Sequence, residues 1–522
     1  MVKIFLILLS SPFVLATACL LALTFFMPLF LIKGFHIISL GILIALLILL
    51  AVFILYYVRR QYLSGMKTRR KAFIVGVGLV ILAGIIVHTA FNLSSTWVLR
   101  RTAKKAQLAG IKLRLEQVIP IEISDQRNAA VVWSRAFKLC HSLYHEHIEL
   151  QEATIRFNRE DPFEELTLRE KNVLRKLLLE NPEILALFNL VEKATNMPEC
   201  RFPVNHEEGP NALLPHLSEL RELARLFALR IWFLTYQGNY QSAWKSFQTA
   251  FAIGDSLKNE PCLVSQQTRF GIESMIISSF TDNLLKKIAP EDCGKLISDV
   301  EGKSTTLVDA LNGDITTIGG YVFGDIWLGQ YKRRKNFIPF VGDVSSEEGG
   351  VSLFWRIYGS YFFSPIFKRD ASFYLDYSTR FSELFRKPFY IAGEELKKVE
   401  KDFRTKNHSF IIAGYFTGQS EHPFYNIYVQ QTIYTAYLET LKIACLLEKY
   451  RKENGRYPES LEQLVPAFVK ELPIDPFTDK NYIYRQENAG FIVYSIGKNL
   501  ADDRGILDHQ QGYDDVSFRV SD

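Results

Sequence analysis

The sequence predicts a multi-domain protein with N-terminal transmembrane helices, a mostly α-helical middle and a small α+β C-terminal module. Residues 1–93 contain eight Lys or Arg, no Asp or Glu, and three long apolar stretches. Apolar residues then recur every three or four positions through the middle, which is typical of amphipathic helices. The last 95 residues end in short runs bounded by turn residues, which is typical of strands. A chain of 522 residues also exceeds what one hydrophobic core usually organises.

The three apolar stretches are residues 4–32, 35–58 and 72–93. Each is longer than the ~20 residues with which a helix crosses the hydrocarbon core of a bilayer. Backbone polar groups in lipid must pair internally, so we expect helices. A cleaved signal peptide ending near Ala18 is the alternative for the first stretch. The apolar run continues well past that point, which favours a retained helix.

The distribution of positive charge predicts the orientation of the three helices in the membrane. The linker 59–71 carries six Lys or Arg and is expected on the cytoplasmic side. The third helix then places residues 94–522 outside, although four basic residues at 100–105 favour the reverse. We therefore expect a multi-pass protein of the inner (cytoplasmic) membrane, with the lipid bilayer as a partner and an extracytoplasmic C-terminal domain.

Outside the first 93 residues, charge and cysteine usage exclude several classes. The remaining chain has 53 basic and 56 acidic residues, which argues against nucleic-acid binding because that needs a basic face. The six cysteines form no C-x-x-C pair, which argues against a zinc ribbon or a dense disulfide framework. One or two disulfides and buried free thiols both remain open.

Residues 94–310 are predicted to form an α-helical domain. Thr167 and Glu170 match a capping box at a helix start, and Asn181-Pro182 supplies an N-cap with proline at the first helical position. Residues 217–237 show the amphipathic pattern of a further helix, which Gly238 ends. The positions that resemble one tetratricopeptide-like helix hairpin are Gly238, Tyr240, Ala243, Phe247 and Ala250. An ordinary helical hairpin and a peptide-binding groove are the two interpretations.

The segment 200–216 contains a candidate site. His206, Glu208 and His216 are residue types that bind metals or transfer protons. The spacing differs from H-E-x-x-H, which needs both histidines on one helical face, and glycine and proline intervene. An ordered loop between helices is the alternative.

Residues 311–425 form an aromatic-rich insert, in which we expect helices joined by long loops. Residues 427–522 form the C-terminal module. There the pattern predicts a long helix over 427–453 that ends at Asn454-Gly455, and a short helix over Pro458–Leu464. The predicted strands are Tyr482–Arg485, Phe491–Ser495 and Val516–Val520.

An ordered set of residues carries a family resemblance. The set is Tyr457-Pro458, Leu461, Leu464, Pro473, Asp475-Pro476-Phe477, Tyr482, Tyr484, Tyr494-Ser495 and Gly497. In this order it resembles the globular head of the major pseudopilin of type II secretion systems, over about 95 residues. Cys200–Pro203 and Leu214–Leu217 are similar to segments of uncharacterised membrane-anchored bacterial proteins with the same tail. Ser39 stands where a pseudopilin has a glutamate, so the chain does not resemble a fibre subunit.

The resemblance implies a calcium site, because the acidic loop of these pseudopilins binds Ca²⁺ through hard oxygen ligands. The matching positions are Asn499, Asp502, Asp503, Asp514 and Asp515. Asn499 replaces an aspartate of the family, and residues 505–512 differ from it. A solvated acidic loop without metal is the alternative.

No nucleophile–base pair or phosphate loop stands out, so we expect no catalytic residues and no cofactor other than Ca²⁺. The expected function is that of a membrane-anchored bacterial envelope protein, a non-enzymatic protein-interaction or assembly component that binds protein partners. The alternative is a membrane-bound metal-dependent hydrolase that uses His206, Glu208 and His216.

Overall fold

A computed structural model describes residues 66–157, 167–289, 307–320, 364–407, 423–508 and 512–521, with a few single or paired residues between 292 and 343. The chain divides into two compact units. The first comprises residues 1–113, 322–380 and 401–421, and the second comprises 114–321, 381–400 and 422–522.

The described residues are mostly helical. Their α-helices are α1 (Met66–Leu108), α2 (Ala129–Glu146), α3 (Ile148–Phe157), α4 (Leu168–Arg175), α5 (Pro182–Thr195), α6 (His216–Tyr236), α7 (Tyr240–Phe251), α8 (Leu263–Ser278), α9 (Asp282–Lys287), α10 (Leu307–Asp314), α11 (Ser364–Leu384), α12 (Phe389–Asn407) and α13 (Pro423–Asn454). The strands are β1 (Phe337–Ile338), β2 (Gly342–Asp343), β3 (Ile483–Glu487), β4 (Gly490–Ser495), β5 (Leu507–Asp508), β6 (Tyr513–Asp514) and β7 (Val516–Val520). Helices α4 and α10 continue into short π-helices, Lys176–Glu180 and Ile315–Gly319.

The structure of helix α1 differs from the prediction for the N-terminal region. It continues to Leu108, beyond the predicted span 72–93, and its polar Asn92 and Thr96 accept hydrogen bonds from Lys368 of α11. Among the residues that the structure describes, no helix combines the length and apolar character needed to cross a membrane. This finding contradicts the predicted fold class with transmembrane helices and the predicted inner-membrane localisation. The predicted spans 4–32 and 35–58 lie outside the described residues.

Local capping signals in the middle of the chain are confirmed. Thr167 Oγ1 accepts a hydrogen bond from Glu170 N at 3.3 Å, and the Glu170 carboxylate accepts one from Thr167 N at 2.7 Å. Asn181 accepts hydrogen bonds from two backbone N–H groups in the first turn of α5, where Pro182 follows it. These bonds satisfy N–H groups that a helix start otherwise leaves unpaired.

Helices α6 and α7 form an antiparallel hairpin, as the pattern around Gly238 predicts. Gly238 adopts a φ of +72°, a left-handed conformation that glycine adopts readily. Ala243, Phe247 and Ala250 of α7 are fully buried, and α7 packs against α6. The small side chains allow the two helix backbones to approach closely. In the insert 311–425, α11 and α12 confirm the predicted helices, while 344–363 and 408–422 lie outside the described residues.

Helix α13 and an antiparallel sheet form the C-terminal module. The sheet has the strand order β3-β4-β7, and α13 packs against β4 and β7. The predicted strands are confirmed within two residues at each end, whereas the predicted short helix Pro458–Leu464 is a 3-10 helix over Leu461–Leu464. Asn488 adopts a φ of +51° in the hairpin turn between β3 and β4.

A buried ion pair lies in α8, the helix that packs against the other side of α13. Arg269 Nε donates to Glu273 Oε1 at 3.0 Å, and both side chains are buried. Asp255 Oδ1 lies 3.6 Å from Arg269. Glu273 is closely packed, because a Cβ atom added to Gly254 would lie 2.5 Å from Glu273 Oε1. A buried charge of this kind destabilises the folded state unless an opposite charge pairs with it.

Replacement of Glu273 by Gln removes the nearer of the two carboxylates that pair with the buried Arg269 charge among the described residues, at 3.0 Å against 3.6 Å for Asp255. We expect the free energy of unfolding to fall by about 3 kcal/mol, measured by urea denaturation. Glu394→Gln is the matched control, since it removes an exposed carboxylate that lies 2.8 Å from Lys397. The control should cost less than ~1 kcal/mol. Equal losses in both variants would contradict this role of Glu273.

Candidate functional site

The structure separates the three residues of the predicted hydrolase site. His206 and Glu208 lie in a 3-10 helix, His206–Asn211, whereas His216 begins α6. Glu208 is exposed and accepts a hydrogen bond from Asn205 Nδ2 at 2.8 Å. His216 is buried and has a different carboxylate partner, Glu260. Glu208 therefore has no part in a site with His216.

Glu260 and His216 form a buried pair. His216 Nε2 lies 3.0 Å from Glu260 Oε2, and the side chains are only 6% and 10% exposed. The Phe202 ring stacks on the His216 ring with centroids 4.2 Å apart. The second carboxylate oxygen, Glu260 Oε1, is buried and accepts no hydrogen bond from any residue that the structure describes. This pair joins the loop before α8 to the start of α6.

Two thiols, Cys200 and Cys262, lie near Glu260, and Asp314 lies beside Cys262. Burial, and then the negative charge of Glu260, raises the pKa of Cys200 to about 12. Burial, and then the charge of Asp314, raises the pKa of Cys262 as well. Burial also raises the pKa of Asp314, to about 7, although its carboxylate accepts a hydrogen bond from Leu263 N at 3.3 Å. Both thiols are therefore protonated at neutral pH, which is unfavourable for a nucleophile.

The pair lacks the other parts of a hydrolytic site. In the described part of the chain, His216 is hydrogen-bonded to no serine, threonine or cysteine that could act as a nucleophile. Over the same residues, no group of three or more His, Cys, Asp or Glu side chains is placed to hold a metal ion. His206 faces this region too, since burial lowers its pKa while the charge of Glu260 opposes the shift.

The acidic loop, defined here as residues 497–515, contains the five predicted calcium ligands. Asp503 Oδ2 accepts hydrogen bonds from Asn499 Nδ2 at 2.8 Å and from Asp514 N at 3.0 Å. Asp502 Oδ1 accepts from Tyr494 Oη and Arg504 N, both at 2.9 Å. Lys498 Nζ lies 3.6 Å from Asp514 Oδ1. The loop thus supplies its own donors to the carboxylates that would otherwise bind a cation.

Asp515 is the most buried of these carboxylates. Its Oδ2 accepts a hydrogen bond from Gly505 N at 2.7 Å, whereas its Oδ1 is buried without a hydrogen-bond partner in the described part of the loop. Burial, followed by the charges of Asp503 and Asp502, raises the pKa of Asp515 to about 6. The folded state therefore favours the protonated form of this side chain.

Two glycines fix the path of the acidic loop. Gly497 has a φ of +65°, and an added Cβ would lie 1.9 Å from Asp514 O. Gly505 has a φ of +79°, and its Cβ would lie 2.2 Å from Ile492 Cδ1 in β4. The loop can close over the end of the sheet only because both positions lack a side chain.

Comparison with known proteins gives no family. No protein-family model, no curated protein and no solved structure matches the chain. The resemblance to the pseudopilin head therefore stays a prediction, and the site residues are interpreted from their geometry alone.

Sequence reasoning missed Glu260, Cys262 and Asp314, which the fold brings to the region of His216. Glu260 is 44 residues away from His216 in the chain. The π-helix that follows Asp314 contacts the His206–Asn211 segment. The spacing of residues along the sequence does not indicate either of these two contacts.

The raised pKa of Asp515 predicts a pH dependence of stability. Unfolding returns its pKa to about 4, so the stability that the bound proton contributes is lost as the pH rises from about 4 to about 6. We expect Asp515→Asn to gain stability relative to the wild type over this interval, measured by denaturation at pH 4.5 and pH 7.

Asp502→Asn is the matched control for this pH effect. Hydrogen bonds from Arg504 N and Tyr494 lower the pKa of Asp502, so its stabilisation is present at neutral pH and is lost as the pH falls. Because its folded and unfolded pKa both lie at or below about 4, this variant should differ from the wild type by a constant amount between pH 4.5 and pH 7, and the difference should shrink only at lower pH. Parallel curves for the wild type and Asp515→Asn would contradict the assignment.

The calcium site stays a prediction that rests on the family resemblance. If the loop binds Ca²⁺ in the folded state only, calcium must raise the melting temperature of the full chain above its value in chelator. Asp503→Asn should abolish that increase, because it removes one of the predicted ligand charges. An unchanged melting temperature on addition of calcium would count against the site.

Proposed function

We propose that this protein is a non-enzymatic interaction or assembly component, and that its C-terminal module binds a protein partner through the acidic loop. One observation carries the proposal. The loop holds three large apolar side chains in solvent, Leu500, Ile506 and Leu507, of which Leu500 is 58% exposed. Exposed apolar residues that cluster on one segment are typical of interaction surfaces.

The backbone at Leu500 strengthens this interpretation. Its φ of +58° is in the left-handed region, which costs a branched residue about 1 kcal/mol or more. The side chain does not recover that cost by burial in its own fold. Strain of this kind is concentrated at functional sites. A partner that covers Leu500 would supply the missing apolar contact.

The charge of the loop indicates the chemistry of the partner. Asp502 is exposed, and its low pKa keeps it ionised at neutral pH. The fitting partner is a protein surface with an apolar pocket and adjacent lysine or arginine side chains. Such charges guide association and partner choice more than they add affinity.

The geometry around His216 gives no comparable support to an enzyme. The pair of His216 and Glu260 is buried, and the neighbouring thiols are protonated. Among the described side chains, no three or more His, Cys, Asp or Glu are placed to hold a metal ion. A binding role for the exposed loop fits these observations better than a catalytic role for the buried pair.

A photo-crosslinking amino acid tests the proposal in cells. Placed at position 500 or 507 of the full chain, it should form a discrete adduct with a partner protein. Leu168 is the matched control position, since it is an exposed leucine at the start of α4. Asp502→Lys should weaken the adduct from position 507, because it reverses the loop charge.

Leu500→Gly separates binding from folding. Glycine accepts the positive φ, so the variant should be as stable as the wild type or about 1 kcal/mol more stable. The same variant should lose most of the adduct formed from position 507. If adducts form equally at positions 168 and 507, or if Leu500→Gly leaves the adduct unchanged, the proposed surface is wrong.

A further inference from the structure

His141 and His145 lie one turn apart on the exposed face of α2. Their rings are adjacent, with centroids 4.8 Å apart and ring planes that meet at 83°. Both histidines are exposed, whereas Leu143 and Tyr144 between them are buried. Residues four positions apart project from the same face of a helix. The two imidazoles therefore occupy one patch of the surface.

The backbone beneath the two rings is anchored at the end of α2. The His147 N–H group donates to Leu143 O at 2.9 Å, and His147 Nε2 lies 3.3 Å from Nδ2 of Asn181, the residue that caps α5. The buried side chains of Leu143 and Tyr144 pack the same turn against the core. A ligand that contacts both exposed rings therefore meets a pair that the fold has already brought together, so little conformational entropy is lost on binding.

The spacing of the pair is that of a known metal-binding pattern. In H-E-x-x-H, two histidines four positions apart on one helix face bind a single zinc ion, and the glutamate is the general base. The segment from His141 to His145 reads H-S-L-Y-H, so Ser142 replaces that glutamate. Ser142 Oγ donates to Glu146 Oε1 at 2.9 Å. The pair thus has the spacing for metal binding without the base for metal-assisted hydrolysis.

Carboxylates of α6 lie beside this face of α2, because the two helices pack against each other. Burial, and then the charge of Glu222, raises the pKa of Glu219, while the charge of His141 opposes that shift. Lys138 precedes His141 by one turn and carries the opposite charge. A metal cation therefore approaches a surface of mixed charge, in which the carboxylates of α6 offset the lysine.

We propose that His141 and His145 bind one divalent transition-metal ion such as Zn²⁺. Imidazole nitrogen suits ions of this class, whereas Ca²⁺ and Mg²⁺ prefer oxygen ligands. The described side chains include no metal-binding group of three or more His, Cys, Asp or Glu. These residues therefore supply two ligands, and water or a second copy of the chain completes the coordination. The site is independent of the acidic loop and of its proposed partner.

Calorimetric titration of the full chain with zinc tests the site, with Mg²⁺ as the reference cation. The wild type should bind zinc and should not bind Mg²⁺ with comparable affinity. His145→Gln should weaken zinc binding about tenfold or more, because even the loss of a hydrogen-bond partner of a metal ligand has an effect of that size. His147→Gln is the matched control, since it removes a nearby histidine that contacts Asn181, and it should bind zinc as the wild type does.

A spacing variant separates chelation from histidine content. The double variant His145→Gln, Glu146→His keeps the number of histidines and places the second one on a different face of the helix. It should bind zinc as weakly as His145→Gln does. Without metal, both variants should melt as the wild type does, because the altered side chains are exposed.

Sedimentation velocity in the presence of zinc distinguishes the sources of the remaining ligands. Zinc binding that requires His145 and leaves the sedimentation coefficient unchanged supports the site and assigns the other positions to water. A zinc-dependent increase in the sedimentation coefficient that is lost in His145→Gln supports the site and assigns them to a second copy. Absence of zinc binding by the wild type, or equal zinc affinities in His145→Gln and His147→Gln, would overturn the proposal.

Discussion

The second unit depends on the burial of α13 from two directions. One side of this helix meets α8, where the rings of Phe270 and Tyr434 lie 5.2 Å apart, and another meets β4 and β7. Leucine, isoleucine and alanine side chains around its whole circumference are buried between residues 436 and 447. A helix that is apolar all round is stable only when it is covered on every side. The helical layer and the sheet are therefore two halves of one core.

Hydrogen bonds and an ion pair connect the end of α13 and the link that follows it to the residues around the sheet. Glu448 is fully buried and accepts a hydrogen bond from Tyr457 Oη at 2.9 Å, while Arg451 supplies the opposite charge. Asp475 accepts hydrogen bonds from Phe477 N and Ser495 Oγ, which joins the proline-rich link to β4. The acidic loop beyond β4 adds three exposed apolar side chains, Leu500, Ile506 and Leu507, to this module.

Local signals in the sequence predict where helices begin and end, but they do not predict which residues the fold brings together in the sites. The caps at Thr167 and Asn181 and the turn at Gly238 are decided by a few adjacent residues, so their positions are predictable. The membrane prediction failed because composition alone marked residues 72–93, whereas α1 extends to Leu108 and contacts α11 through polar groups. The pairing of His216 with Glu260, and of Lys368 with Asn92, depends on tertiary packing between distant segments. No spacing rule encodes such pairs.

The core has a helical side and a sheet side, and both pack against α13. This arrangement has a consequence for synthesis on the ribosome. Phe270 of α8 is synthesised 164 residues before its ring partner Tyr434. At translation rates of roughly 5–20 residues per second, α8 waits about 8 to 33 seconds with an uncovered apolar face. During that interval the nascent chain is a natural client for chaperones, and slow codons between the two segments would prolong its exposure.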